Sequence, residues 1–252
     1  MLGTHRLGSM VLGSWLLGSN GFGTAATAQE LPPWLEAALA REGTALETQV
    51  AALQNGSVNT VLTGKLLTAP EDFDNGTYVQ TDIGGEGPLE CIAYHFAADP
   101  AATVANLANE AINVAAAQFG PVSNRVLTAV RTAAYDGVPY HYLEWTYTVG
   151  EAPDARLNMV KVAVAHLGDV TLACSHNEVG YRATFAQAFE RFVRSAEKRH
   201  AAPQPYYEEI VLFAFGQQSL GYNRVSLTLD ADGDTVVETL TSMLSPADAQ
   251  NL

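Results

Sequence analysis

Two cysteines and two histidines are the residues best suited to chemistry in this chain. Cys91 and His95 share one face of a predicted strand, and Cys174 and His176 share one face of another. In an oxidising compartment the default expectation is a structural disulfide between Cys91 and Cys174, the only cysteines of the sequence. There are two alternatives: the four side chains form a metal site, or the two cysteines are free thiols.

A second candidate is the aromatic segment YHYLEWTY, residues 140–147. Strand alternation places Tyr140, Tyr142 and Glu144 on one face. The opposite face then carries His141, Leu143, Trp145 and Tyr147. A half-buried strand with aromatic cross-strand pairs accounts for this pattern. The alternative is a ligand-binding face on which Glu144 is the polar anchor.

Asp230, Asp232 and Asp234 alternate around Gly233 and could surround a calcium ion. Calcium loops of the helix–loop–helix type have Gly at position six and Glu at position twelve, whereas this loop has Gly233 at the fourth position and Thr241 at the twelfth. An Asp-Gly turn between two strands explains the same residues. We therefore predict a turn and keep calcium binding as the alternative.

Motifs that identify common enzyme classes are missing from the sequence. It contains no nucleophile elbow, no phosphate loop, no Gly-x-Gly-x-x-Gly, no His-Glu-x-x-His and no haem-attachment motif. Adjacent carboxylates such as Glu71 and Asp72 would point to opposite faces of a strand and cannot act as an acid/base pair. The sequence therefore predicts a protein that is not an enzyme and has no cofactor or metal.

The elements that position these residues follow the order strand, helix, several strands, helix. A strand is predicted at 89–97, and an amphipathic helix follows Asp99-Pro100 and ends before Gly120-Pro121. Further strands are predicted at 58–67, 77–83, 122–135, 138–149, 157–167 and 170–175, and a second helix at 180–198. Short polar turns between long apolar runs indicate an antiparallel meander. The predicted fold class is α+β, an antiparallel β-sheet covered by helices in an α/β/α sandwich-like arrangement.

Two segments flank this core, which we place at residues 57–200. An N-terminal helix is predicted within residues 29–56 from helical spacing after Pro32-Pro33. A C-terminal β extension covers residues 201–252 and follows a proline-containing linker at 201–205. We expect its strands to extend the main sheet or to pair with the sheet edge of a partner.

The charge of the chain limits its partners. Of the 252 residues, 13 are Lys or Arg and 27 are Asp or Glu, which gives a formal net charge of −14. Apart from the adjacent Lys198 and Arg199, the basic residues are scattered singly, so no basic face could neutralise a phosphate backbone. The composition therefore predicts no binding to nucleic acid, while the surplus of carboxylates favours solubility or a cationic partner.

Residues 1–28 have the pattern of an export signal. Arg6 is their only formal charge, an apolar stretch interrupted by Gly and Ser covers residues 7–22, and residues 26–28 (ATA) form a cleavage site. A retained membrane anchor is the alternative, which the interrupting residues disfavour. The mature chain contains no second stretch of membrane-spanning length. We therefore expect a periplasmic or extracellular protein.

Residues 89–198 resemble the core of the PsbP-like and DcrB-like α/β/α sandwiches, which are small exported or lumenal proteins. The resemblance depends on the order of elements, on the segment YDGVPY at 135–140 between paired strands, and on the helix FAQAFERFVRSA at 185–196. It implies an accessory or assembly protein rather than a catalyst. No functional residue is carried over, because this pattern contains no invariant chemical motif.

These observations favour an exported, non-enzymatic domain that binds another envelope or extracellular protein through its N-terminal helix or its C-terminal strands. A periplasmic protein that binds a small molecule or a metal is the first alternative. The second is a hydrolase whose site is scattered over loops.

Overall fold

The computed structural model describes residues 32–44, 46–53, 56–95, 99–198, 205–216, 218–230 and 232–244. The predicted export signal at 1–28 lies outside these residues. The described helices are α1 (Pro33–Leu39), α2 (Pro100–Phe119) and α3 (Arg182–Arg194). The described strands are β1 (Thr48–Leu53), β2 (Val58–Thr63), β3 (Lys65–Leu66), β4 (Glu71–Phe73), β5 (Gly76–Asp82), β6 (Leu89–Tyr94), β7 (Val122–Tyr135), β8 (Val138–Val149), β9 (Arg156–Leu167), β10 (Val170–Asn177), β11 (Glu197–Lys198), β12 (Tyr207–Phe215), β13 (Gln218–Leu229) and β14 (Thr235–Met243).

Helix α2 begins and ends where the sequence predicts. The Asp99 carboxylate accepts a hydrogen bond from the Ala101 N–H at 3.0 Å, and Pro100 occupies the first turn, where no intrahelical N–H donor is needed. The helix stops at Gly120, whose φ of 104° lies in the region that favours glycine. The buried residues of α2 follow the predicted helical spacing: Val104, Ala108, Ile112 and Ala115.

The main sheet has eight antiparallel strands in the order β3-β5-β6-β10-β9-β8-β7, with β4 paired to β5. Strands β7 to β10 form the predicted meander. The turn between β7 and β8 consists of Asp136 and Gly137, whose φ values of 46° and 82° are both positive. This is the geometry of the tight hairpin turn that matches the twist of the flanking strands.

One helix covers each face of the main sheet. Helix α3 packs over a core that includes Tyr140, Tyr142, Phe185 and Phe189, and α2 packs over the core of the opposite face. The predicted α+β class and the sandwich-like arrangement are therefore confirmed.

The prediction of an N-terminal helix within 29–56 is wrong for most of its length. Among the described residues of this segment, Pro33–Leu39 alone is helical, and Thr48–Leu53 forms strand β1, which pairs antiparallel with β2. Gly43 passes so close to the backbone of Ile83 that a Cβ atom there would lie 2.3 Å from the carbonyl oxygen. The chain turns into the strand after this contact, and alternation buries Ala51 and Leu53. Helical spacing assigns Val50 and Leu53 to one apolar face, but in the strand they point to opposite faces, and Val50 is exposed.

The C-terminal strands do not extend the main sheet. Strands β12, β13 and β14 form a three-stranded sheet of their own, which we call the C-terminal sheet, and β13 packs against β7. His141 on β8 contacts the side of this sheet that packs against the main sheet. Its Nε2 lies 2.9 Å from the Ser242 hydroxyl, and its ring lies 5.3 Å from the Tyr222 ring.

Candidate functional site

The predicted disulfide is present. Cys91 on β6 and Cys174 on β10 lie directly opposite each other, with their Cα atoms 4.1 Å apart, and both are buried. Because the two sulfurs are bonded to each other, neither is available as a thiolate ligand, and the metal site with His95 and His176 loses half of its donors. Across the described ranges, no group of three or more His, Cys, Asp or Glu side chains is placed to hold a metal ion.

The proposed ligand face points into the protein interior. Tyr140, Tyr142 and Glu144 do share one face, as alternation predicts, but each is more than nine-tenths buried. The Tyr140 ring lies 5.7 Å from the Phe189 ring, and the Tyr142 ring lies 6.0 Å from that of Phe185. Helix α3 therefore closes this face, and its aromatic rings contribute to the core.

Glu144 anchors the first turn of α3 to the sheet. It accepts two hydrogen bonds from the Arg182 guanidinium, at 2.8 and 2.6 Å, one from the Thr128 hydroxyl at 2.6 Å and one from the Tyr142 hydroxyl at 2.9 Å. Burial alone would raise the pKa of Glu144, but these donors outweigh it and lower the pKa below its usual value. Glu144 is therefore a polar anchor, and the group that it holds is Arg182.

A buried row of ionisable residues extends from Glu144 across the sheet. Lys161 on β9 is opposite both Glu144 and His176. Its ammonium group donates to the Glu178 carbonyl oxygen at 2.5 Å, and its side chain has no solvent exposure. Burial lowers the pKa of Lys161 to about 7, although Glu144 and Glu178 oppose this shift. Burial, with Lys161 beside it, lowers the pKa of His176 to about 3.

The sequence pattern alone does not reveal this row. Lys161 is one cation within the apolar strand MVKVAVA, and its partner becomes visible only once the register of the β8–β9 hairpin is known. With that register, a charged residue directly opposite Glu144 could have been identified. Because Lys161 and His176 are enclosed by protein, the row holds elements together and does not meet a solute.

The acidic loop between β13 and β14 has the geometry of a turn. One oxygen of the Asp230 carboxylate accepts from the backbone N–H groups of Asp232 and Asp234, at 3.0 and 2.8 Å. This side-chain cap and the positive φ of Gly233 fit the predicted Asp-Gly turn. The alternative of calcium binding therefore has no geometric support in the described part of this loop.

Exposed apolar side chains are concentrated on the C-terminal sheet. Nine of the sixteen large hydrophobic side chains that are exposed among the described residues fall between 206 and 243. Strand register places one row, formed by Tyr207, Leu227 and Val237, across the sheet on the side away from His141. We call this side the outer face. It comprises Tyr207, Val211, Phe213, Val225, Leu227, Leu229, Val237 and Met243.

Strand β12 leaves one of its edges open. Among the described residues it pairs with β13 alone, so the backbone groups along its other side have no strand partner. Exposed strand edges of this kind can pair with an extended segment of another chain. The outer face and this edge therefore form one continuous surface suited to protein binding.

The C-terminal sheet is acidic. Between residues 205 and 244 there are six Asp and Glu residues and one basic residue, Arg224. Arg224 is already paired with the Glu208 carboxylate, at 2.5 Å. Glu209 lies on the outer face, and Asp230, Asp232 and Asp234 lie in the turn at one end of it, so a partner that binds there meets negative charge.

None of the helices within the described ranges is long and apolar enough to cross a membrane.

Comparison with known proteins gives distant similarities only. No protein-family model matches the chain, and no curated protein matches it. The solution structure of cyanobacterial PsbP (CyanoP) from Synechocystis is similar at 15% identity and a TM-score of 0.40, covering 60% of this chain and 92% of that chain. A crystal structure from Bacteroides thetaiotaomicron is similar at 9% identity and a TM-score of 0.35, covering 70% of this chain. This chain spans 56% of the length of that second protein.

The similarity to PsbP is partial and concerns the fold. It agrees with the PsbP-like part of the sequence resemblance, and the DcrB-like part stays a prediction. At this TM-score it contributes no argument about activity or partner, so the function has to be inferred from the surface of this chain.

Proposed function

We propose that this protein is an exported, non-enzymatic accessory protein that binds a partner protein through the outer face and the open β12 edge of its C-terminal sheet. The observation that carries the proposal is the concentration of exposed hydrophobic side chains on that sheet. Large apolar patches with a polar rim are typical of protein interaction sites. The buried disulfide supports a location outside the cytoplasm, because such bonds persist in oxidising compartments.

The occupant of this surface is a different protein rather than a second copy of this chain. Two copies would bring two acidic sheets together, and the only basic side chain of the sheet is already paired. Like charges across an interface disfavour association. A partner with basic residues around an apolar centre, and with an extended segment able to add to β12, fits the surface in charge and in backbone geometry.

The test compares the double variant Val211→Ser/Val237→Ser with the wild-type protein. Both valines are about half exposed, so each loses roughly 1 kcal/mol of apolar burial in a complex. A protein captured from the native envelope fraction is identified and purified, and its Kd is measured by titration calorimetry. We expect the double variant to bind about 30-fold more weakly.

The matched control is Val50→Ser, which removes a more exposed valine, 77% exposed, from β1. Its Kd should equal that of the wild type. An unchanged Kd for the double variant refutes the proposed surface. Light scattering that shows a dimer of this chain, lost in the double variant, would instead assign the surface to self-association.

A further inference from the structure

A second candidate surface is a groove on the main sheet. Helix α2 packs on β8, β9 and β10, and next to it, alongside β5 and β6, runs a groove of about 970 Å³. Its apolar lining includes Phe73, Ile92 and Leu107, together with Val114 and Phe119, which are about half exposed. No residue of the C-terminal sheet lines this groove, so a ligand bound here would not depend on the surface assigned to the proposed function.

The charged lining of the groove is mainly acidic, with five glutamates against two arginines, Arg41 and Arg156. Glu71, Glu86, Glu90 and Glu110 line it, and no ion pair among the described side chains includes any of these four. The fifth acid, Glu178, is already neutralised, because its carboxylate is paired with Arg41 at 3.1 Å and accepts the N–H groups of two loop residues. The groove therefore presents four carboxylates, and one guanidinium, that of Arg156, outside the ion pairs of the described side chains, so its net charge is negative beside apolar side chains.

Glu90 is held in position before any ligand arrives. Its carboxylate accepts a hydrogen bond from the Tyr78 hydroxyl at 2.5 Å and one from the Gln80 amide at 3.1 Å. All three residues lie on the neighbouring strands β5 and β6, which fixes their spacing. A carboxylate that is half-buried and fixed by neutral donors binds a cation at little cost in side-chain entropy.

The length of the groove indicates the shape of the ligand. Its lining runs along α2 from Leu107 to Phe119, which is about 18 Å at 1.5 Å per helical residue. About five residues of extended polypeptide, at roughly 3.3 Å each, cover that distance. We propose that the groove binds an extended peptide segment in which lysine or arginine side chains alternate with apolar ones, the basic groups reaching Glu90 and Glu110.

The probe for this proposal is a fluorescein-labelled peptide of sequence Lys-Leu-Lys-Leu-Lys-Leu, followed by fluorescence anisotropy. We expect saturable binding that weakens as salt rises. Glu90→Gln keeps a side-chain oxygen that can accept the Tyr78 hydrogen bond, and Glu110 lies on the exposed surface of α2, so both variants should fold. Each should weaken binding up to about fivefold, and the double variant up to about 25-fold.

The matched control is Glu238→Gln, which removes one exposed carboxylate from the C-terminal sheet and should change the Kd less than twofold. Val114→Ser removes an apolar contact from the α2 surface and should weaken the binding of the peptide but not that of spermine. Equal affinity of wild type and Glu90→Gln/Glu110→Gln overturns the proposal. So does spermine binding as tightly as the peptide, or a Glu-Leu peptide binding equally well.

Discussion

Lys161 makes the stability of this protein depend on pH in a range where few other groups titrate. The pKa of the buried lysine is about 7, against 10.5 for an unhindered lysine, so between these values the unfolded chain binds a proton that the folded chain does not. The free energy of unfolding therefore rises with pH in this window and reaches its full value above the unfolded pKa. Between pH 7 and pH 9 the gain is about 2 kcal/mol, which corresponds to roughly 4–8 °C in Tm.

Other buried groups act outside this window. The pKa values of His141 and His176 are lowered to about 4 and about 3, so their effect on stability is confined to acid pH. Burial raises the pKa of Tyr142 and Tyr222, and these residues reduce stability only as the pH approaches 10. The charged groups around Lys161 are Glu144, Glu178, Arg182 and Glu42.

The assay is urea unfolding at pH 7, 8 and 9 without reductant, on wild type, Lys161→Met and Lys65→Met. Methionine fills a similar volume without a titrating group, and Lys65 is an exposed lysine on β3. The free energy of unfolding of the wild type and of Lys65→Met should rise with pH, and that of Lys161→Met should stay flat. An equal rise in Lys161→Met would show that the slope has another source and that the buried lysine is not the titrating group.

Three further outcomes are expected. Glu144→Gln should lower the free energy of unfolding by about 2 kcal/mol in urea at pH 7, because Arg182 and Lys161 lose their carboxylate partner. The control Glu190→Gln, at an exposed ion pair, should lower it by less than 1 kcal/mol. Similar losses in the two variants would contradict the anchoring role of Glu144. Cys91→Ala/Cys174→Ala should cost about 4 kcal/mol for a loop of 83 residues and should abolish the effect of reductant on Tm; a Tm that still responds to reductant would speak against the bridge. His176→Leu should reduce the loss of stability on acidification from pH 6.5 to pH 4. The pKa of the buried histidine is lowered, so in this range the unfolded chain binds a proton that the folded chain does not, and unfolding is favoured. The control His95→Gln, at an exposed histidine, should leave that loss unchanged.

The alternation of apolar and polar residues made the main sheet predictable. The bounds predicted for β7 and β8 agree with the structure, because each strand is long and the Asp136-Gly137 turn between them has a strong local signal. Helix α2 was predictable for the same reason, since its cap and its terminating glycine are local. The segment around Thr48–Leu53 was not, because its structure depends on pairing with β2 rather than on its own residues.

The candidate sites were less predictable than the strands. Strand alternation correctly predicts that Tyr142 and Glu144 share one face, but alternation cannot show whether a helix covers that face. The acidic groove depends on how α2 lies beside β5 and β6, and its five carboxylates come from separate segments between residues 71 and 178. The outer face of the C-terminal sheet became visible only once the register of its three strands was known.

The position of the disulfide bears on how the sheet matures. In the order of strands, β6 and β10 are neighbours although 83 residues separate their cysteines, so this junction joins two groups of strands that are each built locally. A shift of one residue in β6 against β10 would turn one cysteine to the opposite side of the sheet. The disulfide can therefore form only in chains whose two groups of strands have paired in the correct register, and its oxidation selects for these chains.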